Sequence, residues 1–178
     1  TLGATLAPAS PSGEAAPVLL ALDAELTLAS PTATRRLPLQ DFFRGYRQHV
    51  LAAQELIVSV HIPKPWPTIQ RFYKVSKREL DDISTVAAAF ALALDAKGHV
   101  LQLRAAYGGV AATPLRLREL EALARGRPWD GATVRMLQAA LASAGTPLTD
   151  HRGSAEYRRA LLGQLLEKLF VETAEAAT

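Results

Sequence analysis

The run VAAAFALALD, residues 86–95, decides the fold. Val86, Phe90, Leu92 and Leu94 share one face at period two, and a row of alanines occupies the other. Apolar side chains on both faces of so short a run predict a central strand, buried on both sides. The alanines are small enough to let a helix pack close on their face. Ala96-Lys97-Gly98 follows as a hairpin turn in which Gly98 supplies a positive φ. His99–Tyr107 reads as the returning strand, and RFYKVSK, residues 71–77, as the strand before the central one.

Downstream the periodicity turns helical. Thr113 caps a predicted helix with Pro114 at its first position, ending near Arg125 before Gly126. A second helix starts at Asp130 or Gly131 and ends near Gly145. A third spans Arg152 to Glu172, with Tyr157, Leu161, Leu162, Leu165, Leu166, Leu169 and Phe170 as its apolar stripe. The tail AEAAT is expected to fray. This half is α+β: a three-stranded antiparallel sheet, then three helices covering one of its faces.

Upstream, ELIVSVHIP (55–63) alternates, with Leu56, Val58, Val60 and Ile62 facing one way. Pro63, Pro65 and Pro67 end that strand and form a stiff connector, which divides the chain into domains 1–66 and 67–178. PVLLALDAELTLAS (17–30) reads as a strand, with Val18, Leu20, Leu22, Ala24, Leu26 and Leu28 on one face. Ser30-Pro31 marks a turn, Arg36–Leu39 a short return strand, and Asp41-Phe42-Phe43 the opening of a helical turn. Residues 1–16 read as a loop, because Pro8, Pro11 and Gly13 forbid a continuous helix.

Composition bounds the function. Of 178 residues, 49% are hydrophobic and 21% charged, which is enough apolar surface for a folded core. The longest apolar runs, Val86–Leu94 and Ala15–Leu22, fall short of the ~20 residues of a membrane helix. With no cysteine, the chain itself holds no disulfide, thiolate metal site or iron–sulfur cluster. The net charge of +3 is spread along the chain and aromatics are sparse, so no basic stripe for nucleic acid is present. Thr1-Leu2-Gly3 lacks the pattern of a signal peptide, and a cytoplasmic location is expected. The one methionine is Met136, so Thr1 either follows a removed initiator or lies inside a longer chain. The first motif described below favours the second.

Nucleophile-elbow, zinc-protease, Walker and Rossmann patterns are absent, and His49, His61, His99 and His151 lack metal-ligand spacing. Three features remain. Thr1–Glu14 combines Gly3, Gly13, small residues and hydroxyls, which permits close backbone approach to a ligand or simply makes a flexible loop. RFYKVSKRELDDIS (71–84) crowds four cations and three carboxylates between apolar segments. It reads as a solvated charge run or as a loop at a site mouth. Tyr107-Gly108-Gly109-Val110 places paired glycines at a strand end, for a tight turn or close packing.

In order, these features resemble the C-terminal half of the FAD-binding subunit of xanthine dehydrogenase and related molybdenum hydroxylases. Thr1–Glu14 resembles the family's T-x-GGN-I-A-x-x-SPIGD, and Leu39–Arg47 its L-x-x-FF-x-GYR. ELIVSVHIP and RFYKVSKRELDDIS resemble its next strand and loop. Tyr107–Ala111 is similar to its FGGxA, and Asp150–Arg158 to its D-x-R-A-S-x-x-YR. The resemblance implies that residues 1–66 are the end of an α/β FAD-binding subdomain. It assigns FAD contacts to Thr1, Leu2, Gly3, Ala4, Thr5, Ser10 and Glu14, with Glu14 on the flavin's sugar-alcohol chain. Ile57 would touch the flavin through its backbone, Lys74 would approach the cofactor, and Asp81 would tune the flavin and nicotinamide pocket. The family's Gly-Gly-Asn is Gly3-Ala4-Thr5 here, Ser12 replaces an apolar residue, and Glu14 replaces aspartate.

The implied function is electron transfer from iron–sulfur clusters through FAD to NAD in a xanthine dehydrogenase-like oxidoreductase of purine catabolism. The iron–sulfur clusters and molybdopterin would sit on parts outside this chain: an N-terminal iron–sulfur/FAD portion and a molybdenum-binding large subunit. This fragment alone is expected to be inactive. The alternative is a docking domain that has lost FAD binding, as the change at Ala4-Thr5 would allow.

Overall fold

The computed structural model describes residues 1–78 and 82–175. The chain opens with α1 (Leu2–Leu6) and α2 (Ala15–Ala21), then β1 (Glu25–Ala29) and β2 (Thr34–Pro38). A single 3₁₀ turn (Leu39–Asp41) leads to the small hairpin β3 (Phe43–Gly45) and β4 (Gln48–His49), and to β5 (Leu56–His61). The second half runs β6 (Ile69–Val75), β7 (Val86–Leu94), β8 (Val100–Gly108), β9 (Leu115–Arg116), α3 (Arg118–Ala124), α4 (Gly131–Leu141) and α5 (Ala155–Glu175). Two larger antiparallel sheets result, of order β2-β1-β5 and β6-β7-β8-β9.

Strand β7 is the centre that its sequence predicts. Residues 86–92 are buried on both faces. Val86, Phe90 and Leu92 pack with Leu103 and Tyr107 of β8 beneath Leu162, Leu166 and Leu169 of α5. On the opposite face Ala89 and its partner Ala106 lie under Leu19, Leu20, Leu26 and Leu28. Bulky side chains therefore fill one layer, and methyl groups let the other layer close down on the sheet. Gly98 turns the hairpin at φ +78°, as expected.

The first half departs from its sequence reading in four places. Residues 1–16 are not all loop: Thr1 caps α1, its Oγ1 accepting from the Ala4 amide at 3.2 Å. The predicted strand over 17–30 is a helix followed by a strand. Ala16, Leu19 and Leu20 are buried at the i, i+3, i+4 spacing of a helix face, which a period-two count of even positions conceals. Pro17 is tolerated in the first turn, where amides have no intrahelical acceptor. Asp23, at φ +53°, breaks the helix from β1. The expected helical turn ends at Asp41 rather than starting there. In β5 a register shift against Thr27/Leu28 divides the apolar row. Leu56 and Val58 are 73% and 63% exposed, while Ile57, Val60 and Ile62 pack inward. An inserted residue exchanges the two faces of a strand.

Two corrections apply to the second half. The helix predicted from Pro114 starts only at Arg118, because Leu115-Arg116 pairs with Tyr107 and Ala106 as a fourth, short strand. From that extended position the Arg116 guanidinium reaches Glu121 at 2.7 Å, the Leu20 carbonyl at 2.7 Å, and the Asp23 carboxylate. In α5, Tyr157 is not part of the apolar stripe: it is 48% exposed, and Arg158 takes the inward place at 4%. Gly126 (φ +74°) and the Asp130 cap, which accepts from Thr133 N–H at 2.8 Å, stand where the sequence put them. Of the tail, residues 176–178 lie outside the described residues.

Candidate functional site

The residues singled out in the sequence collect into two clusters, joined by the segment from Ala7 to Gly13. The first is α1 against β5. Gly3 faces Ile57, and a Cβ at Gly3 would lie 3.3 Å from the Ile57 carbonyl oxygen and 3.5 Å from its Cβ. A side chain at this position would fit only if Ile57 gave way by a few tenths of an ångström. Thr1, Leu2, Ala4 and Thr5 are exposed on the outer side of this turn, so the Ala4 methyl points away from the packing contact. The Thr5 hydroxyl donates to the Thr1 carbonyl at 3.2 Å.

The second cluster is Glu14, Lys74 and Ser84. Glu14 Oε1 lies 2.8 Å from Lys74 Nζ and accepts from Ser84 Oγ at 2.8 Å. Lys74 also donates to the Asp82 carbonyl at 2.7 Å. Burial opposes charge on Glu14, but Lys74 and Ser84 outweigh it and hold the carboxyl below its ordinary value. The site therefore presents a carboxylate at neutral pH, with an ammonium and a hydroxyl each within hydrogen-bonding reach of it. Small residues make this approach possible. Lys74 pairs with Ala87, which pairs with Gly108, and a Cβ at Gly108 would lie 3.1 Å from both the Pro11 carbonyl oxygen and Pro17 Cγ.

The loop after β6 is pinned by its own groups. Asp82 accepts from the amides of Arg78 (3.0 Å) and Ile83 (2.9 Å), and Ser76 Oγ donates to the Arg78 carbonyl at 2.7 Å. Those amides, aided by the Arg78 charge, overcome the burial that opposes Asp82's own charge and lower its pKa. Asp81 lies outside the described residues.

Ser10 stands apart from both clusters. Its hydroxyl is 3.3 Å from that of Ser12, and both line a cleft of about 370 Å³ with Tyr46, Arg47, Gly109 and Arg152. Tyr46 and Arg47 form the tip of the β3–β4 hairpin, and Arg47 adopts φ +54° there. Sequence reasoning gave no role to Ser84. The available signal was a hydroxyl set directly before a fully apolar strand, inside a run already conspicuous for its charge.

The donor set suits a flavin nucleotide. A carboxylate and hydroxyls match a polyol chain, and an ammonium matches carbonyl or anionic oxygens. Among the described residues no group of three or more His, Cys, Asp or Glu side chains could hold a metal ion, and no helix is long and apolar enough to cross a membrane.

Comparison with known proteins agrees with that chemistry. The family model for the FAD binding domain in molybdopterin dehydrogenase matches residues 1–65, and that for the CO dehydrogenase flavoprotein C-terminal domain matches residues 71–173. The glyceraldehyde dehydrogenase medium chain of Sulfolobus acidocaldarius is 32% identical over 177 residues, covering 98% of this chain and 61% of the relative. A putative xanthine dehydrogenase FAD-binding subunit of Escherichia coli is 29% identical over 180 residues, covering 99% and 61%. The chain thus spans 61% of the length of these relatives. Among solved structures, CO dehydrogenase from Oligotropha carboxidovorans superposes with a TM-score of 0.87 at 26% identity, over 94% of this chain and 58% of that one. Quinoline 2-oxidoreductase from Pseudomonas putida 86 gives 0.87 at 26%, over 99% and 61%. Both halves match in order and the fold superposes on solved members, so the chain belongs to the family of FAD-binding flavoprotein subunits of the molybdenum hydroxylases.

Proposed function

We propose that this chain forms one wall of the FAD site in the flavin subunit of a xanthine dehydrogenase-like molybdenum hydroxylase. In this reading electrons arrive from iron–sulfur clusters on a partner or on a preceding part of the subunit, and leave to NAD. The observation that carries it is the Glu14–Lys74–Ser84 cluster, in a chain whose residues 1–65 match an FAD binding domain. FAD would supply the means to take up electrons singly and release them as a hydride.

The chain's own residues bind and orient. Thr1–Thr5 and the Ile57 backbone would offer the surface on which the cofactor lies. Glu14 would accept hydrogen bonds from its hydroxyls, held in place by Lys74 and Ser84. Lys74 would bring positive charge toward the ring, and charge beside a redox group biases its potential. Asp81 would act in the same pocket. Arg47 and Arg152 on the wall of the cleft that holds Ser10 and Tyr46 would favour the phosphates of a nicotinamide acceptor.

Substrate choice is assigned to the molybdenum-binding large subunit. The reading is tested by purifying the full-length subunit and recording its visible spectrum. Flavin absorption near about 450 nm is expected, bleached by anaerobic NADH. A flavin-free full-length subunit refutes it and leaves the docking-domain alternative. A flavin that NADH fails to bleach removes only the NAD acceptor.

A further inference from the structure

Arg158 has no part in the proposed site, yet it lies where two motifs meet: the paired glycines after Tyr107 and the segment Asp150–Arg158. The fold makes them one object. Arg158 enters from the first turn of α5 and is 4% exposed. Its guanidinium donates to the carbonyls of Thr85 and Gly109 (2.8 Å to the latter) and to Asp150 Oδ1 at 2.7 Å. Asp150 is itself fixed, accepting from the amides of Arg152 (2.8 Å) and Gly153 (3.3 Å). Thr85 is tied a second time, its hydroxyl donating to the Arg152 carbonyl at 3.0 Å. Lys77 donates to the His151 carbonyl.

Both carbonyls that Arg158 grips belong to residues beside the cofactor-facing segments. Thr85 follows Ser84, whose hydroxyl holds Glu14. Gly109 donates its amide to the Pro11 carbonyl at 2.7 Å, which fixes the segment from Ser10 to Glu14 from behind. Gly109 stands at φ +81°, and a Cβ there would lie 2.3 Å from the Thr85 oxygen and 3.0 Å from the Arg158 guanidinium. The glycine is what lets one buried cation reach both carbonyls. A planar guanidinium with several fixed donors suits such a task, and a lysine would reach fewer acceptors.

We infer that Arg158, held by Asp150, is a positioning residue that sets the spacing between the Ser10–Glu14 segment and Ser84, and through it the geometry of Glu14 and Lys74 toward the flavin. This rests on the proposed FAD site. Arg158 makes no hydrogen bond to an assigned cofactor contact, so its effect passes through the Ser10–Glu14 segment and Ser84 that it braces.

The test uses the full-length subunit, with FAD affinity and the flavin midpoint potential as readouts. Arg158→Met is expected to weaken FAD binding tenfold or more and to shift the potential. Arg158→Lys should restore part of both, and Asp150→Asn should move both in the same direction by less. Because the braced segment carries Glu14, Glu14→Gln combined with Arg158→Met should weaken FAD less than the product of the single effects. If Arg158→Met fails to fold, Asp150→Asn and Arg158→Lys carry the same cycle with Glu14→Gln. Unchanged affinity and potential, or effects that multiply independently, overturn the positioning role while leaving the FAD site standing. A wild-type subunit without flavin overturns the functional reading and this inference with it.

Discussion

Replacing Gly109 with alanine separates two costs that the structure predicts should add. The first is conformational: a residue with a Cβ at φ +81° sits in the left-handed region, at about 1–2 kcal/mol. The second is steric. The new Cβ would lie 2.3 Å from the Thr85 oxygen, so that carbonyl must move and loosen its bond to Arg158. Forcing an atom into a packed interior costs about 1–3 kcal/mol. Together the loss is about 2–5 kcal/mol, a large share of the ~5–15 kcal/mol that holds a typical domain folded. Gly98→Ala is the control. Its φ is +78°, nearly the same, but nothing lies within 4 Å of the added Cβ, so it carries only the first cost. Urea unfolding of both variants, with unchanged dependence on denaturant, measures the difference. In heat denaturation, about 3 kcal/mol corresponds to about 6–12 °C in a chain of this size. Equal losses for the two variants, within about 0.5 kcal/mol, would refute the close approach of Gly109 to Thr85.

Three further outcomes are expected. Glu14→Gln removes a half-exposed ion pair and costs under about 1 kcal/mol of stability, yet it lowers FAD content in the full-length subunit. Since its carboxyl titrates below its ordinary 4.5, the pair's contribution is fully present above that value and fades as pH falls further; flavin retention against pH in wild type and Glu14→Gln checks this. Glu55 accepts two bonds from Arg35 and one from the Ala52 amide, and is held down to about 2; NMR titration should find it there, moving up in Arg35→Ala. Tyr107→Phe strips the buried hydroxyl that donates to the Leu162 carbonyl at 2.9 Å, and unfolding should show a loss of about 0.5–1.5 kcal/mol, whereas Leu162→Ala beside it should lose about 2–5 kcal/mol.

The second half of the chain was legible because its signals are local and redundant. Residues 86–94 are apolar on both faces, Gly98 and Gly126 take the positive φ their turns require, and Asp130 caps as its side chain allows. Where reading failed, a distant partner decided. Leu115-Arg116 looks helical until Arg116 is seen to bond Leu20 and Asp23, more than ninety residues earlier. Residues 17–22 satisfy period two by coincidence, and only the layer above Ala89 and Ala106 makes Leu19 an inward residue. Of the candidate site, Glu14 and Lys74 were readable through a family resemblance, and the structure places them 2.8 Å apart. Ser84 and Arg158 were not readable as site residues. Each acts through a single tertiary bond or group of bonds that no spacing along the chain encodes.

The alanines of β7 carry a consequence beyond packing. Ala87 lies in register between Lys74 and Gly108, while Ala89 and Ala106 support the helix that Glu14 opens. Helix α2, with Glu14 at its start, therefore rests on the sheet at a layer thickness gauged in methyl groups. Valine at position 89 would act as a shim: it would lift α2, carry Glu14 outward, and detune a surface pair from inside the sheet. A partly exposed ion pair would thus answer to a substitution in a strand buried on both faces.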